Sequence, residues 1–373
     1  MSQPSSMKIA IIGDTHFGYS RFEEDAFIQA ERALMDANQK ADLIIHAGDM
    51  FDTKVPKLET LNRSLSIFKQ IEKPIVAIFG NHERRSKDLI NPVQLLATTG
   101  VFTYLHGNTK TFEKDGQKVQ IFGMSSVPEE YASVALKKLL ENFKPIEGFN
   151  ILVIHQSIKE LMIKPDQEIS LEELEHLPFD LIINGHIHNK HSKLGGKFLI
   201  PGSTIITQLK KEETDPRTYY VYDTKTKQYE TIDFGSRKFF FEELFFENAG
   251  IEDIRNKVKQ KIDELKNLDK EAIVKIKIKG TLKEGINPSD LSLPGSENVY
   301  LDNQLDSTSL KEKINKIREL RSKSLSVREF VMKELDQKLK GKIKFDSYQL
   351  FEKLLQGPDE TLEWIQEQYK KQI

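Results

Sequence analysis

The chain has 373 residues, more than one hydrophobic core usually accommodates, so we expect two or three domains. Its 55 basic and 57 acidic residues give a net charge of −2, which by itself gives no support to a nucleic-acid partner, although a neutral total can conceal a basic face. The absence of cysteine excludes disulfides and thiolate metal sites, and no apolar run approaches the roughly 20 residues that span a bilayer.

The first six residues, MSQPSS, lack the apolar core of a signal peptide. The strand-like segment MKIAIIGD follows them directly. We therefore expect a disordered extension over residues 1–6 and a cytoplasmic protein that does not associate with membranes.

Short apolar segments in the first two thirds of the chain end repeatedly at polar residues of metal-ligand type. These segments are KIAIIGDTH, LIIHAGDMFD, PIVAIFGNHE, ILVIHQS and LIINGHIH. Apolar runs without strict alternation are typical of strands buried on both faces. Helix-length amphipathic segments, such as residues 23–40 and 58–73, lie between them. Strands that alternate with helices predict an α/β fold with its site at the carboxyl ends of the strands.

Each of these motifs is weak evidence when taken alone. A single histidine after a strand is more often structural, and GDMFD could form a turn with an Asx hydrogen bond. Their recurrence is informative, because converging imidazoles and carboxylates without a metal would compete for few hydrogen-bonding partners. Two divalent cations, one carboxylate bridging them, resolve this competition, and oxygen and nitrogen ligands suit manganese, iron or zinc. The candidate ligands are Asp14, His16, Asp49, Asn81, His155, His186 and His188.

The chemistry of such a site favours hydrolysis of a phosphate ester. Two adjacent cations stabilise the charge that builds on a phosphoryl group and lower the pKa of a bound water. His82 directly follows Asn81, so its side chain is expected to point in a different direction from that of the ligand. We therefore interpret His82 as the catalytic residue that stabilises the transition state or assists proton transfer.

The series GDTH, GDMFD, GNHE, HQS and GHIH resembles the calcineurin-like metallophosphoesterase superfamily. Longer segments, GDTHFGYSRFEEDAF, GNHERRSKDLINPVQLL and GHIHNKHSKLGGKFLIPGST, are similar to the SbcD or meiotic recombination eleven type of DNA double-strand-break repair nuclease subunit. The strong similarity covers residues 7–235, which we assign to the nuclease domain. The resemblance implies a metallophosphoesterase β-sandwich flanked by helices, an αββα arrangement.

The resemblance also implies a role for each candidate residue. One metal would be held by Asp14, His16 and His188, the other by Asn81, His155 and His186, with Asp49 as the bridge and His82 as the catalytic histidine. Mn²⁺ is the usual activating ion of the family. The expected activities are double-strand exonuclease and single-strand endonuclease cleavage of DNA, in a cytoplasmic, nucleoid-associated protein.

The chain departs from many relatives at Asp52, where they carry a histidine three residues after the bridging aspartate. We expect Asp52 to lie near the substrate. An anionic side chain there would repel the scissile phosphate unless it were protonated or paired. We hypothesise that Asp52 lowers exonuclease efficiency relative to a version with histidine.

Residues 236–305 differ in character and predict a small separate β-α-β domain, and the family resemblance implies that it is a capping domain that helps position DNA. IEDIRNKVKQKIDELKNL has apolar residues at helical spacing, and EAIVKIKIKG alternates as a strand does. The lysines of that strand either contact phosphate or form a solvated sheet face. The segment INPSDLSLPGSENVYLDNQLDSTS predicts a turn-rich connection to the tail.

The tail, residues 306–373, is predicted to be helical, with capping boxes that begin at Ser309 and Ser326. Its helices either pack on their own domain or bind an external groove or coiled coil. The resemblance implies that residues 325–373 form a helix-loop-helix that binds a coiled-coil ABC-type ATPase of the SbcC or Rad-fifty type, and that the protein is a homodimer.

Two other functions remain open from the sequence. A phosphodiesterase or phosphatase for a small molecule would use the same metal site, although the capping domain and tail argue against it. A non-catalytic DNA-binding scaffold subunit would have lost ligands, and the full set argues against that loss.

Overall fold

The computed structural model describes residues 6–86, 88–162, 168–293, 295–307, 346–356 and 358–370. Most of the predicted N-terminal extension and residues 308–345 of the predicted tail, including both capping boxes, lie outside the described residues. The chain divides into two compact units: Met1–Phe241 with Leu265–Lys275, and Glu242–Glu264 with Ile276–Ile373. Among the described helices, none combines the length and apolar character needed to cross a bilayer.

Two six-stranded sheets form the first unit. In chain order their strands are β1 (Lys8–Ile12), β2 (Leu43–His46), β3 (Ile75–Ala77), β4 (Thr103–Tyr104), β5 (Asn108–Lys114), β6 (Gln117–Met124), β7 (Phe149–Ile154), β8 (Leu181–Asn184), β9 (His191–Lys193), β10 (Phe198–Ile200), β11 (Thr218–Asp223) and β12 (Gln228–Asp233). The helices that accompany them are α1 (Glu23–Lys40), α2 (Leu58–Phe68), α3 (Pro92–Ala97), α4 (Ala132–Leu140) and α5 (Leu171–Glu175).

The first sheet has the order β12-β11-β1-β2-β3-β4, and the second has the order β5-β6-β7-β8-β10-β9. Strands β1 to β4 are mutually parallel, as are β6, β7, β8 and β10. Antiparallel strands lie at the edges, where β11 pairs with β1 and β5 pairs with β6. Because the central strands of each sheet run in one direction, the segments that follow them emerge at the same edge.

The central strands bury both of their faces, since successive side chains point to opposite sides of a strand. Ile9 and Ile11 share one core with Ile151 and Val153, which lies between the two sheets. Ala10 and Ile12 belong to a second core with α1 and α2, and Leu152 and Ile154 belong to a third core with α4 and α5. The layers are therefore helix, sheet, sheet and helix, which confirms the predicted αββα sandwich.

The helix α1 has the predicted bounds, whereas α2 is shorter than predicted. It ends at Phe68 instead of continuing to Lys73. Lys73 precedes Pro74, and a proline disfavours helical backbone at the residue before it. The last helical residues are followed by tight turns, in which the amides of Gln70 and Ile71 donate to the carbonyls of Ile67 and Phe68.

A separate three-stranded sheet follows residue 238. Its strands are β13 (Phe239–Ala249), β14 (Ile273–Leu282) and β15 (Val299–Ser307), in the order β13-β14-β15, and α6 (Ile251–Leu268) connects the first two. The strand β15 corrects the prediction of a turn-rich connection over these residues. Val299, Leu301 and Leu305 recur with the period of a strand, but the polar residues between them conceal the pattern.

The described part of the tail consists of two helices. They are α7 (Ser347–Gln356) and α8 (Pro358–Lys370), which pack against each other. The rest of the predicted helix-loop-helix, residues 325–345, lies outside the described residues.

Candidate two-metal site

All the predicted ligands follow the carboxyl ends of parallel strands. Asp14 and His16 follow β1, Asp49 follows β2, Asn81 follows β3, His155 follows β7, and His186 and His188 follow β8. The ligand atoms of Asp14, His16, Asp49 and His188 all lie within 4.8 Å of one another, as do those of Asp49, His155 and His186. The structure therefore brings six of the seven predicted ligands into two groups, and Asp49 belongs to both. A third group of ligand-type atoms joins His16 to Asp52 and His82.

Glycines at the strand ends allow this close approach. A Cβ atom on Gly48 or on Gly185 would collide with the imidazole of His155, and a Cβ atom on Gly80 would collide with the carboxylate of Asp49. Only a residue without a side chain fits at each position. These glycines therefore permit the backbone to approach the ligand side chains closely.

Several of the ligand residues have a strained backbone. Asp14, His16, Asp49 and His186 have φ angles of 51°, 46°, 47° and 77°, in the left-handed region that side chains other than glycine disfavour. Such conformations cost about 1–3 kcal/mol each and occur where a function requires the side-chain direction that they give. The strain is concentrated at the residues that converge.

In the first group, Nε2 of His16 lies 3.2 Å from Nε2 of His188, and the latter lies 4.0 Å from Oδ1 of Asp14. The other oxygen of Asp14 is buried and has no hydrogen-bond partner among the described residues. Burial raises the pKa of Asp14 well above its usual range, and the nearby Asp49 carboxylate raises it further. A cation at this point would satisfy both the carboxylate and the facing nitrogens, so the residues fit a metal ion.

In the second group, Nε2 of His155 lies 3.1 Å from Oδ1 of Asn81 and 3.3 Å from Oδ2 of Asp49. Nδ1 of the same ring lies 2.8 Å from the carbonyl oxygen of Ala47 and must donate to it, because a carbonyl oxygen only accepts. In the neutral ring, the lone pair of Nε2 therefore faces two oxygen acceptors. That arrangement needs either a second proton or a metal ion.

The electrostatics of this pair agree with that requirement. Burial lowers the pKa of His155, but the Asp49 carboxylate outweighs it and raises the pKa to about 9. For Asp49, burial acts to raise the pKa, and the positive field of His155 holds it far below its usual range. The site therefore stabilises positive charge between a buried carboxylate and an imidazole, as a cation-binding site does.

The ring nitrogen that points away from each group has its own partner. Nδ1 of His188 lies 2.6 Å from Oγ1 of Thr207, and Nε2 of His186 lies 3.0 Å from Oγ of Ser157. Such outer contacts fix the tautomer and orientation of metal-binding histidines. Thr207 and Ser157 were not among the site residues predicted from the sequence. Only Ser157 had a local signal in the sequence, because it lies two residues after the candidate ligand His155.

His82 lies beside the two groups, with Nε2 3.9 Å from Oδ2 of Asp49. Its Nδ1 lies 3.0 Å from the carbonyl oxygen and 3.3 Å from Oδ1 of Asp52, so Nδ1 carries a proton and donates. The hydrogen bond to Asp52 is the main reason that the pKa of His82 is raised to about 9.

Asp52 is paired rather than isolated. Its Oδ1 also lies 3.5 Å from Nδ1 of His16. Burial raises the pKa of Asp52, but the nearby imidazoles of His16 and His82 outweigh it, and the net direction is downward. The repulsion expected from an unpaired anion is therefore reduced, because the carboxylate is shared between two imidazoles.

A further buried carboxylate joins two of the loops that carry ligands. It belongs to the GNHE motif, but the motif predicted no role for it. Glu83 accepts the amide of Phe51 at 2.7 Å and the amide of Gly80 at 2.8 Å. Burial raises the pKa of Glu83 to about 8. Phe51 lies two residues after Asp49, and Gly80 directly precedes Asn81. Glu83 therefore fixes the loop that carries Asp49 relative to the loop that carries Asn81.

The remaining histidines lie outside the two groups. His46 is fully buried in β2, where Nε2 contacts Oγ1 of Thr15 at 3.1 Å. His106 and His176 are exposed, and His191 lies partly exposed in β9.

A family model described as calcineurin-like phosphoesterase matches residues 7–190. These residues therefore form a calcineurin-like phosphoesterase domain, a type of domain that occurs in hydrolases that bind divalent metals.

Several curated proteins are similar to the chain. The DNA double-strand break repair protein Mre11 of Methanosarcina acetivorans is 30% identical over 241 residues, 58% of this chain and 36% of that protein. Mre11 of Sulfurisphaera tokodaii is 31% identical over 245 residues, 62% of this chain and 60% of that protein. The matched stretches thus span 36% to 60% of the lengths of these two relatives.

Proposed function

We propose that this chain is the nuclease subunit of a DNA double-strand-break repair complex, which hydrolyses DNA phosphodiesters with two divalent cations. Mn²⁺ is the proposed ion. The observation that carries the proposal is the convergence of two ligand groups on Asp49, with His82 beside them. The similarity to proteins named for double-strand break repair supports DNA as the substrate.

The proposed roles divide the site between binding and proton transfer. When bound, two divalent cations stabilise negative charge on the phosphoryl group and lower the pKa of the attacking water. The ligand assignment is the one that the family resemblance implies: Asp14, His16 and His188 would hold one ion, Asn81, His155 and His186 would hold the other, and Asp49 would contact both. Nδ1 of His82 donates its proton to Asp52. This hydrogen bond directs Nε2 of the same ring toward Asp49 and the reacting phosphate. There it stabilises a phosphoryl oxygen or supplies a proton to the leaving oxygen.

A basic groove favours a nucleic-acid strand over a small ester. Lys54, Arg84 and Arg85 line a groove of about 550 Å³ together with Val55 and apolar neighbours. None of the described residues that line it is acidic. Lys54 and Arg84 each lie two residues beyond a residue of the catalytic pair, Asp52 and His82. Cations beside the scissile phosphate would bind neighbouring phosphates, which a small ester lacks.

The proposed organisation also follows the sequence predictions. Residues 7–235 are the nuclease domain, residues 236–305 the capping domain, and residues 325–373 the segment that binds a coiled-coil ATPase of the SbcC or Rad-fifty type. Helices α7 and α8 support the last assignment, because Leu354 and Leu362 are 52% and 60% exposed. A homodimer is proposed as well, and the exposure of Leu58, 79%, supports an apolar contact at the start of α2.

The test is a cleavage assay with Mn²⁺ or with EDTA on linear duplex DNA, single-stranded DNA and bis-p-nitrophenyl phosphate. The expected result is metal-dependent cleavage of both DNA substrates. A double variant, Lys54→Gln with Arg84→Gln, is expected to cleave DNA at least about tenfold more slowly at moderate salt and to hydrolyse the small ester at the wild-type rate.

The matched control is Lys138→Gln, which removes an exposed lysine from α4 outside the groove. It should leave all three rates unchanged. Turnover of the small ester without any DNA cleavage would favour the small-molecule phosphoesterase. Metal-dependent DNA binding without hydrolysis of any substrate would favour the scaffold subunit.

A further inference from the structure

A carboxylate lies behind the second ligand group, on the side away from Asp49. Glu129 follows β6 and is half-buried, and its Oε1 accepts the hydroxyl proton of Ser157 at 3.1 Å. Its Oε2 is buried and has no hydrogen-bond partner among the described residues. Burial raises the pKa of Glu129. A carboxylate with one oxygen unsatisfied costs stability, so its position calls for a role.

The hydroxyl of Ser157 connects this carboxylate to a ligand. Ser157 is 4% exposed, and its Oγ lies 3.0 Å from Nε2 of His186. On the other side of the ring, Nδ1 of His186 lies 2.7 Å from Oδ1 of Asn81. Glu129, Ser157, His186 and Asn81 therefore form one continuous line of polar contacts that ends inside the second ligand group.

The count of protons gives this line a direction. A serine hydroxyl has one proton and can donate it once. When Ser157 donates to Glu129, its oxygen accepts from Nε2 of His186, which places the ring proton on Nε2 and the lone pair on Nδ1. That lone pair then faces Oδ1 of Asn81, which also only accepts, so this arrangement requires a cation between the two atoms, as at His155. With the ring proton on Nδ1 instead, Ser157 would donate to His186, and Glu129 would lose that proton.

We propose that Glu129 and Ser157 form a relay that holds the ring of His186 with its proton on Nε2 and its Nδ1 directed to a divalent cation. Both are positioning residues, since they contact neither substrate nor metal. The proposal rests on the proposed two-metal function. It goes beyond that function because it assigns control of the metal affinity at one position to two residues that are not ligands.

The relay distinguishes the two histidines beside Asn81. His155 donates to a neutral carbonyl, that of Ala47, whereas His186 is backed by a carboxylate through a hydroxyl. A carboxylate behind a histidine raises the basicity of the ligand nitrogen, and loss of such a partner lowers metal affinity by about 10- to 100-fold. The effect should be confined to the metal position that His186 serves.

The experiment measures Mn²⁺ binding to the metal-free chain by calorimetry with a two-site fit. Ser157→Ala and Glu129→Ala are expected to weaken one of the two sites about 10- to 100-fold and to leave the other within about threefold. Glu129→Gln keeps an acceptor for the hydroxyl and should fall between wild type and Glu129→Ala. The double variant should bind no more weakly than Ser157→Ala, because the relay is a single line.

The matched control is Ser133→Ala. Ser133 donates to Glu173 at 2.6 Å, which makes a serine–glutamate pair outside the ligand groups, and its loss should change neither site. Thermal unfolding of each metal-free variant separates metal affinity from folding. Wild-type affinity at both sites in Ser157→Ala and Glu129→Ala would overturn the relay, as would equal weakening of both sites with a lowered Tm. A wild-type chain that binds no Mn²⁺ would overturn the proposed function itself.

Discussion

Two regions of this chain have ionisable side chains on strands or directly after them, and the two regions differ in how far these side chains are buried. At the edge of the two six-stranded sheets, Asp14, His16 and Asp49 are 0%, 1% and 1% exposed. In β14, by contrast, Lys275, Lys277 and Lys279 are partly exposed and alternate with buried aliphatic residues. The first region buries its polar groups, whereas the second leaves them at the surface.

The partners of these side chains explain the difference. Lys279 donates to Glu243 on the neighbouring strand at 2.8 Å, so the three-stranded sheet contains an acidic partner for the lysine row. At the site, the lone pair of His155 faces two acceptors, and an oxygen of Asp14 has no partner among the described residues. Buried and incompletely paired groups indicate a ligand, whereas exposed and paired groups indicate a solvated face. The lysine row therefore favours the solvated alternative.

The largest expected effect is that of His82→Ala. Loss of the imidazole should lower the rate of phosphodiester hydrolysis about 10²- to 10⁴-fold, because proton transfer or charge stabilisation is removed. Mn²⁺ affinity, measured by calorimetry, should stay within about threefold, since the ligands remain. His176→Ala, which removes an exposed histidine, is the control. A similar loss of metal binding would make His82 a ligand and contradict the division of roles.

Gly80→Ala tests whether the close packing of the site is required. The added methyl would collide with Asp49, and we expect a loss of about 1–3 kcal/mol in the free energy of unfolding from overpacking. The displaced carboxylate should lower activity about 100-fold. Gly295→Ala is the matched control, since none of the described residues has an atom within 4 Å of its added methyl. Equal stability and activity in both variants would show that the strand ends tolerate a side chain.

Asp52 is expected to have a smaller effect. Asp52→Asn removes the charge that raises the pKa of His82 and should lower hydrolysis about tenfold, with Mn²⁺ affinity little changed. Asp52→His tests the hypothesis from the sequence, in which histidine gives the faster exonuclease. Separate assays on duplex ends and on single strands measure both activities. Unchanged rates in Asp52→His would remove this position from the explanation of exonuclease efficiency.

The smallest effect is expected in the three-stranded sheet. Lys277→Gln should change DNA affinity, measured by fluorescence anisotropy across a salt series, by less than about twofold. Lys54→Gln, in the groove beside the site, should weaken binding more and reduce its salt dependence, because a phosphate contact is lost. A larger loss in Lys277→Gln than in Lys54→Gln would reverse the comparison and assign phosphate binding to the lysine row.

Local patterns account for the part of this molecule that could be predicted. The apolar runs of β1, β2, β7 and β8 and the periodicity of α1 identify elements because a strand or helix depends on neighbours in sequence. The candidate ligands could be predicted for a related reason. Each follows a parallel strand, and parallel strands deliver their ends to one edge. The strand β15 was missed because polar residues interrupt its apolar positions.

What the sequence determined by itself was an α/β fold, the set of ligand-type residues and the candidate catalytic histidine, while the αββα sandwich was implied by the family resemblance. Only the tertiary structure decided how those residues are paired. The contact of Ser157 with Glu129 joins residues 28 apart in sequence, and that of His188 with Thr207 joins residues 19 apart. No local pattern encodes such contacts, because they arise when separate loops meet at the sheet edge. The pairing of Asp52 with His82 has the same origin. The carboxylate that was expected to repel the scissile phosphate is paired with an imidazole.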